Sequence, residues 1–169
     1  MIETSDIDQL RSPRIFNSIF EAGVRAVFLL VAMYPDTLDI EDMVALDHLV
    51  VHSEDVGGPN SLHPRTATHA TEMLVRRELI YNGLLLMQTR SLVDRIANAS
   101  GISYRAGEEA HNFVGYLSSQ YFTDLNQAAS FLASVRKRIG KGDFGSLVEQ
   151  QLERWAIQFQ NVDAPGVEH

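Results

Sequence analysis

The sequence predicts a mainly α fold with one β-hairpin, and three observations predict it. Apolar residues recur at helical spacing along most of the 169 residues. One stretch, "SLVDRIANASGISYRAG" from Ser91 to Gly107, alternates apolar and polar residues on either side of a turn instead. Three helical segments precede that hairpin, which is the order of elements in a winged helix, with the hairpin as the wing. The composition, 45% hydrophobic and 21% charged, is that of one globular domain rather than a disordered or fibrous chain.

The elements follow in order. Residues 1–13 are polar and read as a flexible N-terminus. A helix from Ile15 to Tyr34 carries Ile15, Phe16, Ile19, Phe20, Val24, Val27, Phe28 and Val31 at near-helical spacing. It is apolar around much of its circumference, as a central helix must be, and Pro35 stops it. A second helix begins at Asp39, an N-cap followed by Glu41 and Asp42 in the first turn, and runs to His52, where "DVGGPN" closes it. "SLHPRTATHATEM" reads equally as a loop or a short strand. The third helix, Leu74 to Arg90, carries Leu74, Val75, Leu79, Leu84 and Leu85.

In the hairpin, Leu92, Val93 and Ile96, then Ile102 and Tyr104, flank a turn whose Asn98 and Gly101 tolerate positive φ. Beyond it, Glu108 to Leu117 and Asp124 to Ile139 each show one apolar stripe. "GKGDFG" interrupts the pattern, and "SLVEQQLERWAIQFQ" resumes it with Leu147, Val148, Leu152, Trp155 and Phe159 along one face. That face needs a partner surface, in the fold or in another chain. The expected organisation is a winged-helix region over 14–106, C-terminal helices packed on it over 107–160, and a tail over 161–169.

Several function classes are disfavoured. A net charge of −8 argues against general coating of nucleic acid, which requires many neutralised phosphates. The most apolar run, Val27 to Met33, falls far short of the ~20 residues of a membrane span. The absence of cysteine removes disulfides, thiolate metal ligands and a cysteine nucleophile, and it suits a reducing cytoplasm. The N-terminus lacks the basic and apolar segments of a secretory signal.

"GKGDFGS" contains letters of a phosphate loop, but Val135 stands where the first glycine of that motif is required. His48 and His52 share one helical face, yet Leu49 occupies the position of a zinc protease's catalytic glutamate. They read as partly exposed helix histidines. The carboxylates Asp39, Glu41, Asp42, Asp47, Glu54 and Asp55 read as a solvated acidic face, and no serine sits in a nucleophile elbow. Neither catalytic, metal nor cofactor residues are assigned.

The arginines are the candidate contacts. Arg76 and Arg77 begin the third helix, Arg90 ends it, and Arg95 and Arg105 lie on the two strands of the hairpin. In winged-helix proteins that bind DNA, those two elements meet groove and backbone, so these side chains could touch phosphate or a protein partner. A further run, "RKRIGK", sits at a helix C-terminus, where cations are favoured in any case.

Two stretches, "VRRELIYNGLLLMQTRSLV" and "GISYRAGEEAHNFVGYLSSQY", resemble the middle component of prokaryotic three-component ABC ATPase conflict systems, of which Lamassu is a kind. The matching features are Arg76-Arg77-Glu78-Leu79, Gly83-Leu84, Leu92-Val93 and Gly101 to Ala106, with "DIEDMVALDHLVVHSEDV" and "NSLHPR" in support. The resemblance spans roughly Phe16 to Val135.

The resemblance implies a non-enzymatic subunit in an antiviral or anti-plasmid defence complex. It would join an SMC-like ABC ATPase, which senses foreign or damaged DNA, to an effector such as a nuclease, in a role similar to that of kleisin winged domains. DNA would then be met mostly through the ATPase. A winged-helix DNA-binding regulator is the alternative.

Overall fold

The computed structural model describes residues 18–64 and 70–160, with the backbone alone at 70–73, 155, 156 and 158–160. Six α-helices and one hairpin make up the described residues: α1 (Ile19–Met33), α2 (Ile40–Val51), α3 (Ala70–Gln88), β1 (Val93–Asn98), β2 (Gly101–Ala106), α4 (Ala110–Tyr116), α5 (Gln120–Ile139) and α6 (Lys141–Gln160). A 3-10 turn, Ser53–Val56, follows α2. No described helix is long and apolar enough to cross a membrane. The expected start of the first helix at Ile15, residues 65–69 of the ambiguous "SLHPRTATHATEM" segment and the tail lie outside the described residues, and the last four residues of that segment open α3.

α1 is the axis of the fold. The Ser18 hydroxyl accepts from the Glu21 amide at 3.2 Å and caps its first turn. Ala22 to Leu30 are then buried without a break, because α2, α3, α4, α5 and β2 all pack on this one helix. Phe28 stacks on Phe122 of α5, ring centroids 5.8 Å apart, and such a burial contributes about 2–3 kcal/mol.

α1 and α3 cross on bare backbone. A methyl group on Gly83 would stand 2.6 Å from the Gly23 amide nitrogen and 2.9 Å from the Ile19 carbonyl oxygen. Only paired glycines allow that approach.

Asp39 caps α2 as the sequence predicts, its carboxylate accepting from the Asp42 amide at 2.8 Å. α3 departs from expectation at both ends, beginning at Ala70 rather than Leu74 and ending at Gln88 rather than Arg90. Arg76 and Arg77 therefore lie in its second turn. The chain leaves α3 through Ser91, whose φ of 58° is in the left-handed region where glycine is at ease. Gly107 packs against the Ser91 carbonyl, closing the base of the hairpin.

β1 and β2 pair antiparallel from Val93 with Ala106 to Asn98 with Gly101. The turn works differently from the expected pair of positive-φ residues. Gly101 alone takes positive φ, at 122°, while the Asn98 side chain accepts from the amide and hydroxyl of Ser100 at 3.0 and 2.6 Å. On the far edge of β2, Leu38 exchanges two backbone hydrogen bonds with Tyr104, at 2.9 and 2.7 Å. The connection between α1 and α2 thus clamps the hairpin to the helical body.

α5 starts earlier than Asp124, because Ser119 supplies an N-cap, and it ends at Gly140 with φ 87°. That single glycine is the whole interruption. Lys141 opens α6 at once, and Gly142 and Gly145 lie inside the helix. Phe144 and Val148 of α6 are buried, with Leu147 and Leu152 packed partly against the core.

Candidate functional site

A buried carboxylate organises the helices around the candidate arginines. Asp47 of α2 is fully buried, which corrects the reading of it as part of a solvated acidic face. Arg25 of α1, equally buried, donates Nε to one Asp47 oxygen at 2.7 Å and Nη2 to the other at 3.3 Å. Arg76 of α3 donates Nη1 to the second oxygen at 2.6 Å. Burial alone would raise the Asp47 pKa, but the two guanidiniums outweigh it and hold the carboxyl below its usual range.

The histidines differ from expectation too. His48 and His52 are 2% and 3% exposed, with ring centroids 4.9 Å apart, so they belong to the core beside Asp47. Burial, and then the cations around it, lower the His48 pKa to about 3. His63 lies 3.3 Å from the Tyr121 hydroxyl and is lowered to about 4 by burial first and by Arg25 next. Among the described residues no three His, Cys, Asp or Glu side chains gather as a metal would require.

Sequence reasoning missed Arg25 and Asp47 as a pair. The signal was present, since an arginine inside the apolar run of a central helix needs a buried acid.

The five candidate arginines separate into different surroundings. Arg76 spends its guanidinium on Asp47 and tethers α3 to α2. Arg77 is half exposed and holds Glu41 at 3.0 Å. Arg95 is exposed and makes no ion pair among the described residues. It shares a hairpin face with its cross-strand neighbour Tyr104. Burial and Tyr81 raise the Tyr104 pKa, and Arg95 and Arg77 oppose that rise. Arg105 is on the other face of the hairpin, 3.8 Å from Asp94. Arg90 borders a separate apolar groove of about 460 Å³ with Phe20, Leu86, Phe113 and Tyr116.

On the outer side of α3 and on the hairpin several apolar side chains stand open. Leu74 is 69% exposed, and Tyr81, Leu85 and Ile102 are each at least 40% exposed. Ile80, Leu84 and Met87 meanwhile fill the core-facing side of α3. The sequence shows apolar residues around most of this helix and leaves open which side is covered.

The candidate stripe on α6 divides. Val148 is buried, and Leu147 and Leu152 pack partly against the core, Val148 and Leu152 bordering a cleft with Leu38, Val44 and Phe144. The side chains of Trp155 and Phe159 lie outside the described residues.

Residues 15–158 match the family model described as ABC-three component (ABC-3C) system Middle Component 2. The chain belongs to that family. No curated protein and no solved structure matches it. The matched span of this Middle Component 2 protein takes in the described helices up to residue 158, the Asp47 network and the hairpin. Membership makes it a middle component, working among partner subunits such as an ABC ATPase. The resemblance read over roughly Phe16 to Val135 therefore holds at the level of the family. Gly83, one of its matching features, has a physical task in the crossing of α1 and α3.

Proposed function

We propose that this Middle Component 2 protein is a non-catalytic assembly subunit of a defence complex, joining an SMC-like ABC ATPase to an effector such as a nuclease. It would act in the cytoplasm, as a Lamassu-type subunit does, in the manner of a kleisin winged domain, with α3 and the hairpin as helix and wing. The observation that carries the reading is the face on which Leu74, Tyr81, Leu85 and Ile102 stand open beside Arg77 and Arg95. Exposed aromatic and aliphatic anchors interleaved with arginine are the chemistry of protein hot spots.

The alternative, a winged-helix DNA-binding regulator, is supported by the position of α3 beside the hairpin and by the exposed Arg95. It is weakened where Arg76 is committed to Asp47, Arg77 to Glu41 and Arg105 to Asp94. Co-purification with the ABC ATPase and effector of the same system tests the assembly reading. A stable ternary complex is expected, and a chain that elutes alone beside both partners overturns it. DNA binding that weakens steeply with salt and with Arg95→Ala would favour the regulator instead.

A further inference from the structure

We infer that the free edge of β1 pairs antiparallel with β1 of a second copy of this chain, the two-fold axis passing at Ile96. The inference goes beyond the assembly reading and does not depend on it. It starts from the backbone of the hairpin. Tyr104 exchanges its backbone hydrogen bonds with Leu38, so its amide and carbonyl turn away from β1. Arg95 stands opposite Tyr104, and in an antiparallel ladder both members of such a pair turn away from each other. The amide and carbonyl of Arg95 therefore point out of the hairpin, and by alternation so do those of Ala97. Both residues are exposed, and neither backbone finds a hydrogen-bond partner there among the described residues. Leu38 closes one edge of the hairpin and leaves the other as an open template. An extended chain fits it, because only a strand repeats its donors and acceptors at about 6.8 Å, the spacing of alternate strand residues.

The sequence of the edge is compatible with its own copy in one register. Two-fold symmetry makes the pairing antiparallel, and the axis must pass at a residue, since outward-pointing residues pair with each other. At Arg95 it would set two guanidiniums opposite each other, and at Asp94 two carboxylates. At Ala97 it would overlap the strands only from Ile96 to Asn98. At Ile96 it pairs everything from Asp94 to Asn98. Arg95 then exchanges backbone hydrogen bonds with Ala97 of the second copy, and Ala97 with Arg95 of the second copy. Asp94 comes opposite Asn98 of the second copy, an acceptor facing an amide donor, while keeping Arg105 at 3.8 Å on its own chain. The two Ile96 side chains meet on the axis as a non-hydrogen-bonded pair, the closest approach in such a ladder. The result is a sheet continuous through both hairpins. Its contact is short, which places it among weak, transient interfaces.

The chain contains no cysteine, so single introduced cysteines report this contact without background. Concentrated full chain carrying Ile96→Cys should form a disulfide-linked dimer under mild oxidation about tenfold or more faster than chain carrying Ile102→Cys, the more exposed site on β2. Adding Ala97→Pro removes one outward amide and spares the ladder with β2, so it should slow the Ile96→Cys cross-link about tenfold. Ile96→Lys sets like charges on the axis. It should abolish the concentration-dependent dimer seen by sedimentation equilibrium, with the melting temperature unchanged. A chain that stays monomeric at every concentration would overturn the inference. So would equal cross-linking at Ile96→Cys and Ile102→Cys, or a dimer that tolerates both Ala97→Pro and Ile96→Lys. Protection of 94–98 from hydrogen exchange by another subunit, and never by the chain's own concentration, would assign the edge to that subunit and overturn it too. Co-purification with the ABC ATPase and effector tests the assembly reading separately, whatever the outcome here.

Discussion

At Asp47, side chains from three helices share one buried carboxylate, and the physics there is asymmetric. Two guanidiniums compensate the desolvated acid, so removing the acid leaves them facing each other in a low dielectric. Asp47→Asn should destabilise the fold by about 3 kcal/mol or more. That corresponds to a fall in melting temperature of about 6–12 °C for a chain of this size, read by calorimetry. Ser91 makes the opposite prediction. Its left-handed backbone strains any side chain, and the added freedom of glycine in the unfolded chain takes back part of the relief. Ser91→Gly should therefore stabilise by about 0.5 kcal/mol, seen as a small rise in the same melting experiment. Of these residues, Arg25 was legible as an oddity in an apolar run. Its partner was not, because twenty-two positions separate it from Asp47 and no local pattern joins them.

Among the elements, the crossing of α1 and α3 is the most constrained contact. Gly83→Ala would drive a methyl group into the backbone of α1, which has no rotamer with which to yield. A loss of about 2–3 kcal/mol is expected, the range for overpacking a tight core. Gly142, inside α6 with open space for 4 Å around the place a methyl group would take, is the control. Gly142→Ala should stabilise by about 0.5–1 kcal/mol through helix propensity alone, and a matching loss at both glycines would contradict the steric origin of the first. Element boundaries were readable where one residue sets them, as at Asp39 and Pro35. They were misread where a cap went unrecognised, as at Ser119, so that α5 was expected to start four residues late, or where three glycines looked like one break. Only Gly140 has the positive φ that ends a helix; Gly142 and Gly145 continue α6.

For the molecule as a whole, His48, buried, and His63, half-buried, contribute a dependence of stability on pH. The fold holds His48 neutral down to about pH 3 and His63 down to about pH 4, whereas an unfolded chain protonates both near pH 6.5. The unfolded state therefore carries more protons throughout that window, and stability falls as pH falls. Asp47 adds to this at lower pH, because its depressed pKa favours folding above the unfolded carboxyl value and the benefit is lost on acidification. Urea midpoints should drop from pH 7 to pH 5 and more steeply toward pH 4, and a flat profile would refute the buried placement of these groups. The sequence by itself determined the helical order, the hairpin and the place of its turn, and the family, since spacing, capping and turn chemistry act over a few residues and leave local marks. Tertiary structure alone decided which side of α3 is covered, and that several charges are committed inward rather than outward. Those outcomes depend on which helices meet, and contacts between residues far apart in the chain leave no periodic trace in it.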